Sequence, residues 1–189
     1  MNSLRLCVLG TGFLARTRVR CWRRVHGSAI ELVVASRDRT KAAAFAGQHG
    51  IAQAMTIDEA LADRSIALVD LCVPNRAHRE LCERAAAAGK HVLCTKPLTA
   101  FWGQGLAADA SASAVASTAR TLMLARAVED ADAMVAACAR GNVRLFYGEN
   151  WLFAPAIRRA AALGDAAGGG ALEMRGWESH SGSHSPYAK

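Results

Sequence analysis

The sequence predicts an α/β protein built on a doubly wound parallel sheet. Short apolar runs rich in β-branched residues alternate with helical segments along most of the chain. These runs are near-continuously hydrophobic rather than alternating, as strands covered on both faces are. The first run also leads directly into a glycine-rich turn that opens a helix.

Taken in order, LRLCVLG (residues 4–10) reads as a buried strand and residues 11–27 as a helix ending near Gly27. IELVVASR (30–37) is a second strand. In the segment that follows, Asp38 suits a helix N-cap and Gly47 or Gly50 its stop. Thr56 with Glu59 three residues on forms a capping box. IALVDLCVP (66–74) is a further strand, followed by a helix from an Asn75 cap to a Gly89 stop, and then by the strand KHVLCTKP. A long helix is expected from about Thr118 to Arg140, with Leu124, Val128, Ala131, Val135 and Cys138 on its packing face and Gly141 as terminator. NVRLFYGEN closes this part as a last strand.

Two stretches break the rhythm. Residues 101–119 are rich in Ala, Ser and Gly and read as a flexible insertion. The tail from Gly164 opens with a glycine loop, contains one strand-like run and ends in Ser, His and Gly. A single strand without a partner is not stable by itself. The expectation is therefore a first domain over residues 1–149 and the beginning of a second, incomplete one over 150–189.

With 189 residues and 21% charged side chains, a folded soluble protein is the default. The net charge of +7 permits attraction to nucleic acid or to phosphorylated small molecules. Of the first helix's arginines (Arg16, Arg18, Arg20, Arg23, Arg24), Arg16, Arg20, Arg23 and Arg24 read mainly as a solvated face opposite Val19 and Trp22, so no specific nucleic-acid partner is expected. The six cysteines form no C-x-x-C pair and read as buried thiols of a reducing cytoplasm. The apolar N-terminus is broken by two glycines and followed by arginines, unlike a signal peptide. No apolar stretch approaches the roughly 20 residues of a membrane helix, and no membrane association is expected. His180 and His184 have metal-ligand spacing only on a helix, which the glycine and serines around them oppose, so no metal is expected.

The chemistry begins at Gly10-Thr11-Gly12-Phe13-Leu14-Ala15, a G-x-G-x-x-A between strand and helix. The glycines allow a tight turn and close approach of a pyrophosphate. The small Ala15 lets helix and strand pack closely, and the helix N-terminus offers N–H groups to an anion. A glycine turn without ligand is the alternative. An acidic residue ending the second strand would bind a ribose 2′-hydroxyl; here Ser36 and Arg37 stand there. A guanidinium suits a 2′-phosphate, which favours NADP over NAD. Arg37 as a plain solvated strand end, or Asp38 serving the ribose, remain open. Lys96 lies at the carboxyl end of a central strand, where open α/β sheets bind ligands; it reads either as a solvated charge at a strand end or as a group aimed at a substrate. There an ammonium stabilises a developing alkoxide, and a lysine whose pKa is lowered by burial joins a proton relay.

Four passages together resemble the glucose–fructose oxidoreductase / inositol dehydrogenase (Gfo/Idh/MocA) family: Gly10–Ala15 after the first strand, VDLCVPNRAHRELCERAAAAGKHVLCTKPL, the strand ending FYGENW, and APAIRRAAAL before a glycine loop. The resemblance implies an N-terminal Rossmann domain, a C-terminal α/β domain with an open sheet used for homo-oligomer contacts, and NAD(P)-dependent oxidation or reduction of sugars, polyols or related small molecules. Pro74, Asn75 and His78 match the family's P-N-x-x-H segment, which lies against the ribose and nicotinamide of the cofactor. Lys96-Pro97 matches the lysine–proline of its E-K-P motif, whose lysine stands beside the reacting hydroxyl. His78 reads either as a relay or as a residue packed near the cofactor. Two departures stand out. Thr95 replaces the motif's glutamate, and the family's D-x-x-x-H segment is missing. The first leaves open a non-catalytic dinucleotide binder as a second reading.

Overall fold

A computed structural model of the chain describes residues 3–26, 29–107, 109–170 and 173–175. It divides into two compact units, Met1–Glu149 and Asn150–Lys189.

The first unit is a six-stranded, all-parallel sheet in the order β3-β2-β1-β4-β5-β6. The elements follow in the sequence β1 (Leu4–Leu9), α1 (Phe13–His26), β2 (Ile30–Ser36), α2 (Arg39–His49), β3 (Gln53–Thr56), α3 (Ile57–Ala62), β4 (Leu68–Leu71), α4 (His78–Ala87), β5 (His91–Thr95), α5 (Ala112–Ala116), α6 (Arg120–Arg140) and β6 (Leu145–Gly148). The order reverses beside β1: the chain winds outward to β3, crosses back, and continues from β4 to β6. Two apolar clusters cover the sheet. One joins Leu6, Val8, Ala15, Val19 and Val34 to α2. The other joins Cys7, Leu9, Val69, Leu71, Val92 and Cys94 to α3, α4 and α6.

Local signals place several boundaries as expected. Asp38 accepts from the amides of Thr40 and Lys41 as N-cap of α2, and Gly50 closes that helix in the left-handed region. The Thr56–Glu59 capping box starts α3. Between them the short strand β3 was not anticipated, because QAMT carries neither an apolar run nor an alternation.

Five expectations are corrected. The strand expected over 66–74 is confined to Leu68–Leu71, and the backbone then leaves the sheet toward the glycine loop. Asn75 caps no helix: it opens a 3-10 turn (Asn75–Ala77), α4 starts behind it, and its amide is spent elsewhere. On α6 the packing face is turned from the expected one. Asp130, Met134, Ala137 and Cys138 are buried, while Leu124, Val128 and Val135 are exposed. A carboxylate on the packing face argues against that face from sequence, but Asp130 is accommodated because Arg79 and Gln104 bond it. The 101–119 stretch is not wholly irregular: Ser111 caps the short α5. Finally, Cys21 is exposed, whereas Cys7, Cys72, Cys82, Cys94 and Cys138 are buried thiols.

Lys90, just before β5, is 2% exposed. Its ammonium donates to the carbonyls of Asp63 (2.6 Å) and Ile66 (3.1 Å), which fastens the lower end of the sheet; burial moves its pKa down.

Burial pushes the Cys7 thiol up from 9.0 to about 12. An acid with a raised folded pKa keeps its proton where the unfolded chain has lost it. Its stabilisation is therefore complete below about pH 9 and is lost as pH rises toward 12, by about 1.4 kcal/mol per pH unit. Urea titrations on either side of pH 9 are expected to show falling stability, with a slope that Cys7→Ala reduces by that amount.

The second unit contains a 3-10 turn (Trp151–Phe153) and α7 (Pro155–Ala166), which starts with proline at its first position, where no intrahelical N–H is needed.

Among the described residues no helix is long and apolar enough to cross a membrane, and no three His, Cys, Asp or Glu side chains are grouped to hold a metal ion. His180 and His184 lie outside the described residues.

Candidate dinucleotide site at the carboxyl ends of β1, β2, β4 and β5

The reversal of strand order leaves a crevice above the carboxyl ends of β1 and β4. Gly10 turns the chain out of β1 at φ +120°, a conformation closed to most L side chains, and its N–H donates to Ala35 O at 2.8 Å. A Cβ there would stand 2.3 Å from Cys72 O, so only glycine lets the loop pass β4. Gly12 is the opposite case. A Cβ on it would meet nothing within 4 Å, which leaves the mouth of α1 open to an approaching group. No acidic side chain lies in the first turn of α1, so its N-terminal amides face the crevice without a competing carboxylate. Ala15 is fully buried against Val8, Val34 and Cys72. Phe13 is exposed, and Thr11 and Leu14 are half-buried at the loop.

At the end of β2, Ser36 Oγ accepts from Asp38 N at 3.2 Å. Asp38 is occupied as the α2 cap, with Oδ1 taking two amides. Arg39 is held by Glu59 of α3. Arg37 is exposed and makes no hydrogen bond or ion pair among the described residues. It is thus the guanidinium left available at this edge.

Above β4 and β5, the two expected motif segments are stitched together. Asn75 Nδ2 donates to Pro97 O at 3.1 Å. His78 is 1% exposed, with Nε2 3.1 Å from Val73 O and Nδ1 3.1 Å from Leu98 O. Cys94 Sγ lies 3.3 Å from His78 Nδ1. The ring therefore spans the loop after β4 and the loop after β5, and its burial keeps it from direct contact with a ligand in the crevice. The Lys96–Pro97 peptide is cis. Lys96 follows Thr95, the last residue of β5. It is exposed rather than buried, which differs from the burial that the proton-relay reading assumed, and no carboxylate or carbonyl among the described residues engages it.

Sequence reasoning missed Asp70. It lies on β4, fully buried, and accepts from Trp22 Nε1 at 2.8 Å, with Arg18 Nε at 3.5 Å. Desolvation moves its pKa up, against the Arg18 charge. The pair ties α1, the helix behind the glycine loop, to the strand on the other side of the crevice. Arg18, which the solvated face of Arg16, Arg20, Arg23 and Arg24 does not include, is thus the arginine of α1 turned to the sheet. A charged residue inside an apolar strand run was the available signal.

The loop, the helix N-terminus and the free Arg37 together fit a dinucleotide laid across the carboxyl ends of the strands. Comparison with known proteins agrees with this fold. The sequence profile of the family described as "Oxidoreductase family, NAD-binding Rossmann fold" (GFO_IDH_MocA) matches residues 4–125. D-apiose dehydrogenase of Paraburkholderia graminis is 31% identical over 173 residues, covering 90% of this chain and 38% of that protein. The crystal structure of a putative myo-inositol dehydrogenase from Sinorhizobium meliloti superposes with a TM-score of 0.63 at 26% identity, over 86% of this chain and 42% of that one. GenD2 from gentamicin A biosynthesis, solved in complex with NAD, gives 0.65 at 25%, over 86% and 39%. The chain thus spans less than half the length of these relatives.

Proposed function

Because this chain belongs to the Gfo/Idh/MocA oxidoreductase family, we propose that residues 1–149 are the cofactor domain of an NADP-preferring dehydrogenase or reductase acting on a hydroxyl or carbonyl carbon of a sugar or polyol, with residues 150–189 forming part of its substrate- and oligomer-contacting unit. The observation that carries the reading is the glycine loop: Gly10 is sterically obligatory, Gly12 opens on empty space, and both sit at the switch in strand order. The names of the relatives, an apiose dehydrogenase and a putative inositol dehydrogenase, support the substrate class.

In this reading a bound nicotinamide supplies the hydride chemistry. The chain's own residues do the rest. The amides of Thr11 to Leu14 receive the pyrophosphate, Ala15 sets the distance of α1 from the sheet, and Ser36 and Arg37 hold the 2′-phosphate. Pro74 and Asn75 flank the nicotinamide ribose, with Pro97 O fixing the asparagine amide. His78 is a positioning residue that locks the two loops. Lys96 Nζ donates to the substrate oxygen and stabilises its negative charge.

NADPH and NADH titrations followed by nicotinamide fluorescence test the cofactor assignment. NADPH is expected to bind more tightly, and Arg37→Asp to weaken it by about thirtyfold, the loss of one charge-assisted bond of about 2 kcal/mol, with NADH little changed. Equal affinities in the unsubstituted chain would remove the 2′-phosphate role of Arg37.

A further inference from the structure

A second cleft, of about 310 Å³, opens between the start of α4 and the loop that follows β5, and Asn75 lines it. It therefore shares a residue with the proposed nicotinamide side of the crevice. Its floor is a fixed polar network. Asp130, 9% exposed, accepts from Arg79 Nη1 at 2.9 Å and from Gln104 Nε2 at 3.0 Å. Gln104 also donates to Ala100 O at 3.1 Å, and its Oε1 takes the backbone N–H of Trp102 at 2.7 Å. Gly103 and Gly105 on either side adopt φ of +104° and +88°, turning the chain back on itself around that glutamine. Loop residues from a stretch of flexible composition are thus held by a buried carboxylate, and what they hold is Trp102, half its surface exposed on the cleft.

The charges of the cleft are settled with one exception. Arg79 is paired with Asp130 and Glu83, and Glu80 with Arg84. Arg76 lines the cleft, is exposed, and has no hydrogen bond or ion pair among the described residues. An indole face beside a guanidinium without a partner is complementary to a ring bearing an anionic group: the ring stacks on the indole and the anion takes the fork of the arginine.

We propose that this cleft is a subsite for the non-reacting part of the substrate, and that the substrate is a phosphorylated sugar, either a sugar phosphate or a nucleotide-linked sugar, with its ring on Trp102 and its phosphate on Arg76. The proposal rests on the cofactor reading, which places the reacting carbon beside Asn75 and Lys96. Trp102 and Arg76 then set specificity through binding energy remote from the chemistry.

Saturation-transfer NMR on this chain tests it. NADP+ is added first, to fill the dinucleotide crevice, and its own signal is recorded. Glucose, glucose 6-phosphate and UDP-glucose follow separately. At least one phosphorylated sugar is expected to bind while glucose does not, and which one binds identifies the source of the phosphate. Arg76→Gln and Trp102→Ala are each expected to weaken that binding by about tenfold or more. The NADP+ signal should persist in both, which also reports that they fold. Binding of NADP+ without either phosphorylated sugar, equal binding of glucose, or sugar phosphate binding that survives both substitutions would overturn the subsite and leave the cofactor reading standing. Absence of NADP+ binding would overturn the cofactor reading, and the subsite with it.

Discussion

Lys96→Ala is expected to lower kcat of the whole protein by about a hundred- to a thousandfold, the cost of removing one preorganised donor to a developing oxyanion. NADPH affinity should change far less, because the pyrophosphate and 2′-phosphate contacts lie at other strand ends. The ammonium stands one residue beyond β5, and the loop that carries it is pinned by Asn75 and His78 rather than by Lys96 itself. The side chain is therefore available to a ligand, and its removal breaks no hydrogen bond or ion pair among the described residues. Lys96→Arg is expected to recover little, since a planar fork does not replace a compact point charge at a single oxygen. Steady-state kinetics separates the effect on kcat from that on KM. Thr95, where the family motif has glutamate, gives the second reading its footing. If neither the starting protein nor the variant turns over sugars or polyols, the chain is a dinucleotide binder without catalysis.

Gly10→Ala is expected to destabilise the first unit by about 2–4 kcal/mol and to abolish dinucleotide binding. Strained backbone at positive φ accounts for about 1–3 kcal/mol of this. The rest comes from the 2.3 Å approach of the new Cβ to Cys72 O, which forces the loop away from β4. Gly12→Ala makes the contrast. Among the described residues, its chain neighbours aside, nothing lies within 4 Å of a Cβ built there, so thermal stability should be unaffected while NADPH affinity falls, because in the proposed function the methyl group takes space that the pyrophosphate needs. Melting curves and NADPH titrations of the two variants distinguish a steric requirement of the fold from a steric requirement of the ligand.

Much of this architecture is legible from local chemistry. The G-x-G-x-x-A turn, the Asp38 cap, the Thr56–Glu59 box and the apolar strands depend on residues close together in sequence, and each appears where the pattern places it. What escaped depends on partners far away in the chain. The face of α6 is set by Asp130, whose burial requires Arg79 of α4 and Gln104 of the loop. Asn75 suits a helix cap by residue type, but Pro97 O, 22 residues on, takes its amide. Asp70 and Lys90 are charges inside or beside apolar runs, and only the position of Arg18 and Trp22, or of two backbone carbonyls, makes their burial tolerable. In the site, the turn of the glycine loop and the exposure of Arg37 at the end of β2 follow from residues close together in sequence. His78 could be named but not given its task, since the difference between touching a ligand and fastening two loops lies in burial.

The proposed function requires a dinucleotide to lie across the carboxyl ends of β1, β2, β4 and β5. Amide chemical-shift mapping of the 15N-labelled chain during an NADPH titration tests it most directly. Saturable shifts are expected at Thr11 to Leu14, at Ser36 and Arg37, and at Asn75 and Lys96, with Asp63, Ile66 and Lys90 at the opposite end unmoved. Shifts confined to that opposite end, or none at the glycine loop while the chain remains folded, would contradict it.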